Sequence, residues 1–342
     1  MAPNQSYEES LTLILERISH QMPYDLAEQF ATHTRLTRAD FHPIRKKTPG
    51  IVCAVDGSNA IIAESGSFAL AAIRAAQTTF SRGERLARAI TPLTVVSVGP
   101  EEENEDFALL MDNCFGIFPG TGLKNNDADR VAAILRDTLE YGIALKQAQE
   151  LPEGSLLLLD GALRITDPNH DPILDDIVRI AQKRGVLLAA VSKRTRATWG
   201  GGHPLLPAVT GFARNTGVPS PWWVRIDEKY LDSEVYKRGR KGDLYVVSLH
   251  KKTHFPLKME LPKGTEDRMV ERIMSATAAC SDDGRIPGYP YPLLDAHRTV
   301  VIDGNCAELV RQDLKKGFAA KGMDREIFDL LFGDIHDDFE RY

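Results

Sequence analysis

The sequence contains no hydrophobic run near the roughly eighteen apolar residues that a transmembrane helix needs. Its N-terminal region carries acidic residues and lacks the basic start and small-residue cleavage site of a signal peptide. Its four cysteines, Cys53, Cys114, Cys280 and Cys306, form no CxxC pair, so the usual zinc and disulfide signatures are missing. These absences predict a cytoplasmic globular protein without a membrane span, whose cysteines are buried thiols.

An excess of basic residues is also missing. The 42 Lys and Arg residues against 48 Asp and Glu residues give a formal net charge of −6, whereas nucleic-acid-binding domains are commonly basic overall. Basic residues instead form short clusters, such as "SKRTR" at 192–196 and "YKRGRK" at 236–241. Each cluster alone is typical of a solvated surface, and only their convergence on one cleft would make them a binding track.

Internal repeats and low-complexity linkers are absent from the 342 residues, of which 43% are hydrophobic. That hydrophobic content is ample for a large core. We therefore expect an N-terminal helical arm over residues 1–44, one large domain over 45–320 and an acidic C-terminal tail over 321–342.

Hydrophobic periodicity predicts an α/β fold. Residues 51–56 and 91–99 have strand character, and the alanine-rich residues 67–80 form either a strand or a helix. The short connection after the first strand favours antiparallel pairing. Residues 127–150 carry a helical stripe, and a β-α-β unit over 155–193 implies parallel strands. Further strands are predicted at 222–226, 244–249 and 255–261, and further helices near 266–280 and 305–318.

Two apolar strand candidates run directly into Asp-Gly, at Asp56 in "VCAVDGS" and at Asp160 in "LLLLDGA". Open α/β sheets place ligand chemistry at the carboxyl ends of strands, and a glycine there allows a tight turn. Asp-Gly is also a common turn dipeptide. Each aspartate, however, follows at least four apolar residues, where an ionised carboxylate is costly unless it is paired or metal-bound.

Two further polar residues and a tryptophan pair stand out. Glu140 lies beside the apolar stripe of the predicted helix 127–150, and His297 follows the proline-rich segment "PGYPYP". Trp222 and Trp223 are adjacent in a predicted strand, so their rings point to opposite faces of the sheet. One ring must therefore contact a second layer, a partner or solvent.

Four motifs in this order resemble the NurA nucleases, DNA end-processing enzymes that work with the hexameric translocase HerA. The motifs are "AVDGS" at 54–58, "LLLDGAL" at 157–163, "AVSKRT" at 190–195 and "YPYPLLDAH" at 289–297. The resemblance covers about residues 45–320. It implies a ribonuclease H-like core, in which helices flank a mixed five-stranded sheet, with insertions and the N-terminal helical arm. The order of strands and helices predicted above agrees with this core.

The resemblance also implies a set of site residues. The metal ligands would be Asp56, Glu140, Asp160 and His297, with a catalytic tyrosine at Tyr289 or Tyr291 and with Lys193 and Arg194 on the substrate. Glu140 is the least fixed of these assignments, because Glu150 and Glu153 are nearby competitors. The sequence does not separate Tyr289 from Tyr291.

Carboxylates with an added imidazole suit Mn²⁺ or Mg²⁺. Two such ions activate water and neutralise charge in phosphodiester hydrolysis. The resemblance therefore implies a two-metal DNA nuclease that cuts single strands as an endo- and exonuclease and digests duplex ends 5′ to 3′. It further implies a homodimer that acts with a HerA-like hexameric ATPase in end resection during homologous recombination and DNA repair.

Two other classes of function stay open. One is a non-catalytic DNA-binding or adaptor subunit of the translocase, whose aspartates only form turns. The other, less favoured, is an actin-like or sugar-kinase-like phosphotransferase, in which the glycines at 200–202 cradle a phosphate.

Overall fold

The computed structural model describes residues 6–21, 25–66, 68–99, 105–120, 122–123, 127–193, 195–232, 239–253, 255–322 and 325–332. The helices are α1 Tyr7–Gln21, α2 Leu26–Thr34, α3 Glu105–Phe115, α4 Ala128–Glu150, α5 Asp171–Arg184, α6 Leu205–Asn215, α7 Asp267–Ala279, α8 Tyr291–Val300, α9 Gly304–Ala320 and α10 Arg325–Phe332. The strands are β1 His42–Pro43, β2 Val52–Glu64, β3 Ala69–Ser81, β4 Glu84–Ile90, β5 Thr94–Val98, β6 Leu156–Asp160, β7 Leu187–Ser192, β8 Thr198–Trp199, β9 His203–Pro204, β10 Trp222–Ile226, β11 Gly242–Ser248 and β12 Leu257–Pro262.

Ten strands form one sheet in the order β1-β10-β11-β12-β7-β6-β2-β3-β4, with β5 also paired to β3. Strand β6 runs parallel to both β2 and β7, and the other pairs are antiparallel. The part from β4 to β7 has the strand order and directions expected of a ribonuclease H-like core. The predicted five-stranded core is therefore confirmed, and β12, β11, β10 and β1 extend it beyond β7.

Alternate residues of the central strands pack against helices on the two faces of the sheet. Val52 and Ala54 of β2 join the core cluster that contains residues of α7 and α8. Cys53 and Val55 join the cluster that contains residues of α4 and α5. This alternation follows from the two-residue period of a strand and decides which face each polar residue of β2 reaches.

The helix α4 begins and runs as its sequence pattern predicts. The side chain of Asp127 accepts a hydrogen bond from the backbone N–H of Arg130 at 3.2 Å, which caps the first turn. Val131, Leu135 and Ala144 are fully buried against the sheet. The predicted end of α5 at Gly185 is also confirmed, since this glycine adopts φ +67° at the helix terminus.

Within the predicted segment 67–80, residues 69–80 form a strand and not a helix, because β3 pairs with β2 along almost its whole length. The strand β4 was not anticipated. All seven of its residues are exposed, so the sequence shows no alternation between buried and exposed positions there. The third predicted strand corresponds to β5, and β4 and β5 pair with opposite ends of β3.

Both tryptophans of the adjacent pair are buried within the chain, on opposite faces as predicted. Trp222 packs with the cluster formed by α2, α6 and β10, and Trp223 packs with the cluster on the α7 side. Trp222 is 3% exposed and Trp223 is 6% exposed. Helical layers therefore cover both rings, and neither ring forms an exposed interface patch.

The terminal regions differ from each other in how they pack. In the expected arm, α1 exposes Leu11, Ile14 and Leu15, whereas Phe30 of α2 is fully buried beside α6. Within the expected acidic tail, α10 buries Phe328 against the sheet. Residues 333–342 of that tail lie outside the described residues. Among the described helices, none is both long and apolar enough to cross a bilayer.

We expect Glu260→Gln to destabilise the fold strongly. The Glu260 carboxylate accepts hydrogen bonds from Arg240 at 3.1 Å, Lys258 at 2.9 Å and the Leu163 backbone at 2.9 Å. The side chain of Glu260 is 1% exposed. Removing its charge weakens a buried ion-pair network that includes two cations, and breaking such a buried pair typically costs about 3–5 kcal/mol.

Urea denaturation measures this loss as a lower transition midpoint. Glu228→Gln is the matched control, because Glu228 is 45% exposed and pairs with Lys263 at 3.5 Å. That control is expected to change the free energy of unfolding by less than about 0.5 kcal/mol. Equal midpoints for the two variants would contradict the structural role of Glu260.

Candidate active site

Two aspartates meet where β2 and β6 run side by side. The parallel pairing aligns Val55 with Leu159, and Asp56 and Asp160 are the next residues along the two strands. Both aspartates share the strand alternation of Ala54 and Leu158, so their carboxylates point toward the face that α7 and α8 cover. The Asp56 side chain is only 7% exposed. The register of one strand pair therefore brings together carboxylates that are far apart in sequence.

The two Asp-Gly sequences have different backbone roles. Asp160 ends β6 and Gly161 follows with φ +116°, as expected for a turn. The same expectation was wrong for Asp56, because β2 continues without a turn as far as Glu64. The continuous hairpin with β3 holds this segment extended, and Asp56 is paired in register with Ala76.

The helix α8 brings His297 to this pair. Nδ1 of His297 lies 2.9 Å from Oδ2 of Asp56. Hydrogen bonds hold both ends of α8 on β3: Thr78 donates to the Pro292 carbonyl at 2.9 Å, and Arg74 donates to the Val300 carbonyl at 2.8 Å. One ligand atom each from Asp56, Asp160 and His297 lies within 4.8 Å of the other two. These three side chains could therefore hold one divalent ion.

Glu140 approaches this group from the opposite face of the sheet and is not one of the three residues whose ligand atoms lie within 4.8 Å of one another. Gly57 points toward α4, because adjacent strand residues face opposite sides. A Cβ atom at Gly57 would lie 2.4 Å from Oε1 of Glu140 and 2.8 Å from Cγ of Arg136. Because Gly57 has no side chain, there is a gap at this point of β2. Glu140 occupies this gap, beside Asp56.

The two competing glutamates lie elsewhere. Glu150 is 56% exposed and pairs with Lys146 at the end of α4. Glu153 packs against Gly185 before the start of β6, whereas Asp160 lies at the end of that strand. Of these three acids, only Glu140 adjoins Gly57.

Burial and crowding of carboxylates govern the electrostatics of the site. Burial, reinforced by the nearby charge of Asp160, raises the pKa of Asp56 to about 6. Burial also raises the pKa of Glu140 well above its ordinary value, although Arg136 opposes this rise. Lys193 contacts Asp160 at 2.7 Å and Arg136 contacts Glu140 at 3.1 Å. The cluster thus favours a compensating positive charge at its centre.

Tyr289 and Tyr291 lie in different surroundings. Tyr289 is buried, and Nζ of Lys193 lies 5.4 Å from the centre of its ring. Burial, together with the charges of Asp160 and Asp56, raises the pKa of Tyr289 far above its ordinary range. Tyr291 instead packs edge-to-face on Phe80, with ring centres 5.0 Å apart. Tyr289 is therefore the tyrosine beside the carboxylates.

Sequence reasoning missed Arg136, which ties this part of the site together. Its guanidinium donates to Asn59 of β2 at 3.1 Å and pairs with Glu140 on the next turn of α4. An arginine four residues before the glutamate, on the same helix face, was the available signal. The predicted substrate residue Arg194 lies outside the described residues, whereas Lys193 is placed beside Asp160.

The glycines at 200–202 do not form an open phosphate cradle. The backbone N–H groups of Gly201 and Gly202 donate to the Asp232 carboxylate, at 3.1 Å and 2.8 Å. An acidic side chain of the protein already occupies the position that a phosphate would take. This contact removes the structural basis for the phosphotransferase hypothesis.

We expect Gly57→Ala to displace Glu140 and to weaken metal binding while the protein stays folded. The added methyl group overlaps Oε1 and Cγ of Glu140 and Cγ of Arg136, so both side chains must shift, and the cost in stability is expected to be about 1–3 kcal/mol. Loss of one carboxylate from the cluster should weaken Mn²⁺ binding at least about tenfold. Calorimetric titration with Mn²⁺ measures this change.

Gly50→Ala is the control for Gly57→Ala, because nothing lies within 4 Å of a Cβ at Gly50 and this glycine lies two residues before the start of β2. It should bind Mn²⁺ as the wild type does. Wild-type Mn²⁺ affinity in Gly57→Ala would show that the gap in β2 is not needed for the site.

Comparison with known proteins agrees with this geometry. The chain matches the family model described as "NurA domain" over residues 50–302, and no match was found among curated proteins. The crystal structure of the NurA nuclease from Sulfolobus solfataricus is 16% identical, with 92% of this chain and 97% of that chain covered and a TM-score of 0.57. A second NurA crystal structure is 11% identical, with 92% and 97% covered and a TM-score of 0.54.

The match to the family model includes both Asp-Gly strands, α4 and the histidine of α8, and the solved NurA structures share the fold. NurA proteins are nucleases, and this chain belongs to the NurA family.

Proposed function

We propose that the protein is a divalent-metal-dependent DNA nuclease, with its metal site at Asp56, Asp160, Glu140 and His297. The observation that carries this proposal is the convergence of Asp56, Asp160 and His297 within 4.8 Å, with Glu140 adjoining through the gap at Gly57. Oxygen ligands with one imidazole suit Mn²⁺ or Mg²⁺. We expect two ions, and Asp56 would be among the residues that hold them.

The raised pKa values of Asp56 and Glu140 support a cation at this place. Buried carboxylates that repel one another are costly in the metal-free protein, and a divalent ion offsets that cost. When bound, such ions activate a water molecule and neutralise the charge that develops on the phosphoryl group.

The surrounding side chains have separate roles in this proposal. Lys193, which is 41% exposed, contacts a phosphate oxygen of the DNA strand while it stays close to Asp160. The high pKa keeps Tyr289 protonated at neutral pH, so its hydroxyl is available as a hydrogen-bond donor and does not act as a base. Asp56 orients His297 through Nδ1, and His297 is either a metal ligand or a proton carrier.

The adaptor hypothesis explains these features less well. Its aspartates would serve only as turn residues, yet Asp56 lies inside a continuous strand and is buried. A carboxylate kept there at an energetic cost is typical of a functional site.

We expect Asp56→Asn and Asp160→Asn each to reduce Mn²⁺-dependent cleavage of a single-stranded oligonucleotide more than about a hundredfold, because each loses a ligand charge. Asp282→Asn is the control, since Asp282 is 52% exposed and pairs with Lys46 away from the cluster. Cleavage at the wild-type rate in either site variant would refute the metal site.

The stability of the Asp56→Asn variant in EDTA shows whether Asp56 is a metal ligand or a residue that the fold requires. Because the folded protein binds the Asp56 proton more tightly than the unfolded chain, its free energy of unfolding falls as pH rises from 3.8 to about 6. The amide lacks this titration, so at pH 7.5 the variant should be more stable than the wild type by up to about 3 kcal/mol. A variant that unfolds in EDTA at pH 7.5 would show that Asp56 is structural.

We further propose that the protein is cytoplasmic and acts as a homodimer with a HerA-like hexameric ATPase, cutting single strands and digesting duplex ends 5′ to 3′ during end resection. The exposed apolar residues Leu11, Ile14 and Leu15 of α1 support a protein partner, since such residues commonly lie in interfaces. Nothing in the chain resembles a helix-turn-helix or a zinc finger, so we expect cleavage without sequence preference.

Light scattering is expected to give twice the 37.9 kDa chain mass. Addition of the cognate ATPase and ATP should accelerate duplex cleavage and leave single-strand cleavage less affected. A stable monomer at micromolar concentration, combined with no acceleration, would contradict this assembly.

A further inference from the structure

A 310 Å³ pocket opens directly beside the carboxylate cluster. Asp160 and Glu140 lie at its edge, and its walls come from α4, from the segment after β6 and from the segment after β7. Its far wall includes the buried Arg240, Lys258 and Glu260 group. The pocket is therefore continuous with the proposed metal site but extends away from it toward β12.

Two arginines of this pocket are available for an anionic ligand. Among the residues that the structure describes, the guanidinium groups of Arg164 and Arg196 make no hydrogen bond and no ion pair, although both line the pocket. This contrasts with Arg136, which is fully engaged by Asn59 and acidic neighbours. Arginine groups that face a pocket without a protein partner are suited to phosphate oxygens.

The backbone holds both arginines in place. The Tyr141 hydroxyl of α4 donates to the Arg164 carbonyl at 3.0 Å, which fixes the segment after β6. The Thr195 hydroxyl accepts a hydrogen bond from the Ala197 N–H at 3.0 Å, which closes a turn around Arg196. The backbone positions of both arginines are thus set before any ligand arrives, so only the side chains lose entropy on binding.

The size and lining of the pocket limit what it can hold. Its volume is at the small end of the range of about 300–1,000 Å³ for small-molecule sites. Leu159, Ala162 and Tyr141 supply apolar lining beside the arginines. One nucleotide, whose base presents a flat face to apolar side chains and whose phosphate is anionic, matches both properties, whereas a base pair is too large.

We propose that this pocket binds one unpaired nucleotide of the DNA strand next to the scissile phosphate, and that Arg164 and Arg196 contact its phosphate. This inference rests on the proposed nuclease function and adds a strand-selecting subsite to it. A duplex must therefore separate at its end before cleavage.

The test uses Arg164→Gln, Arg196→Gln and the matched control Arg179→Gln. Arg179 is 62% exposed on α5, pairs with Asp176 and does not line the pocket. The probe is a phosphorothioate-linked tetrathymidylate that resists cleavage, titrated into each protein in the presence of Mn²⁺. A tetrathymidylate with uncharged methylphosphonate linkages is the second probe.

Each pocket variant is expected to bind the charged probe about tenfold more weakly than the wild type, and Arg179→Gln to bind it unchanged. The uncharged probe should bind weakly and equally to all four proteins. In cleavage assays, KM for single strands should rise while kcat changes little. Unchanged affinity for the charged probe in both pocket variants would overturn the proposal.

Mn²⁺ titration of the same variants distinguishes a failure of the nucleotide subsite from a failure of the proposed nuclease function. Arg164 and Arg196 are not metal ligands, so both variants should bind Mn²⁺ as the wild type does. A wild type that neither binds Mn²⁺ nor cleaves DNA would overturn the proposed nuclease function. Intact Mn²⁺ binding and cleavage with no effect of either arginine on probe binding would overturn only the nucleotide subsite.

Discussion

The site depends on the parallel register between β2 and β6. The pairing of Val55 with Leu159 places Asp56 and Asp160 one residue further along neighbouring strands, on the same face. A shift of one residue in either strand would turn one carboxylate to the opposite face. The apolar residues that precede each aspartate are buried on both faces, and this burial fixes the register.

Much of the core could be predicted from the sequence because its signals are local and strong. The stripe and cap of α4, the glycine end of α5 and the β-α-β unit around β6 each depend on a few neighbouring residues. Asp56, Asp160 and His297 were identified by motif, and the structure places them together. The match to the NurA domain model supports the family resemblance on which these motifs were identified.

The remaining features depend on contacts between residues that are distant in the sequence. The strand β4 has no buried residue, so it follows no amphipathic pattern and is held by its pairing with β3. From the sequence, Gly57 indicates only a turn. Its actual role depends on Glu140, which lies on a helix 83 positions later in the chain. Likewise, Tyr289 and Tyr291 are distinguished by neighbours that are distant in the sequence, Lys193 after β7 and Phe80 of β3.

The contact of Glu260 with the backbone N–H of Leu163 has a consequence for how the protein opens. It ties the wall of the pocket to β12, whereas Asp56 and His297 are held by the β2–β3 hairpin and α8. Proteins open in cooperative units that follow such local ties. The wall of the pocket can therefore open only when this contact breaks, and amide hydrogen exchange at Leu163 reports that opening.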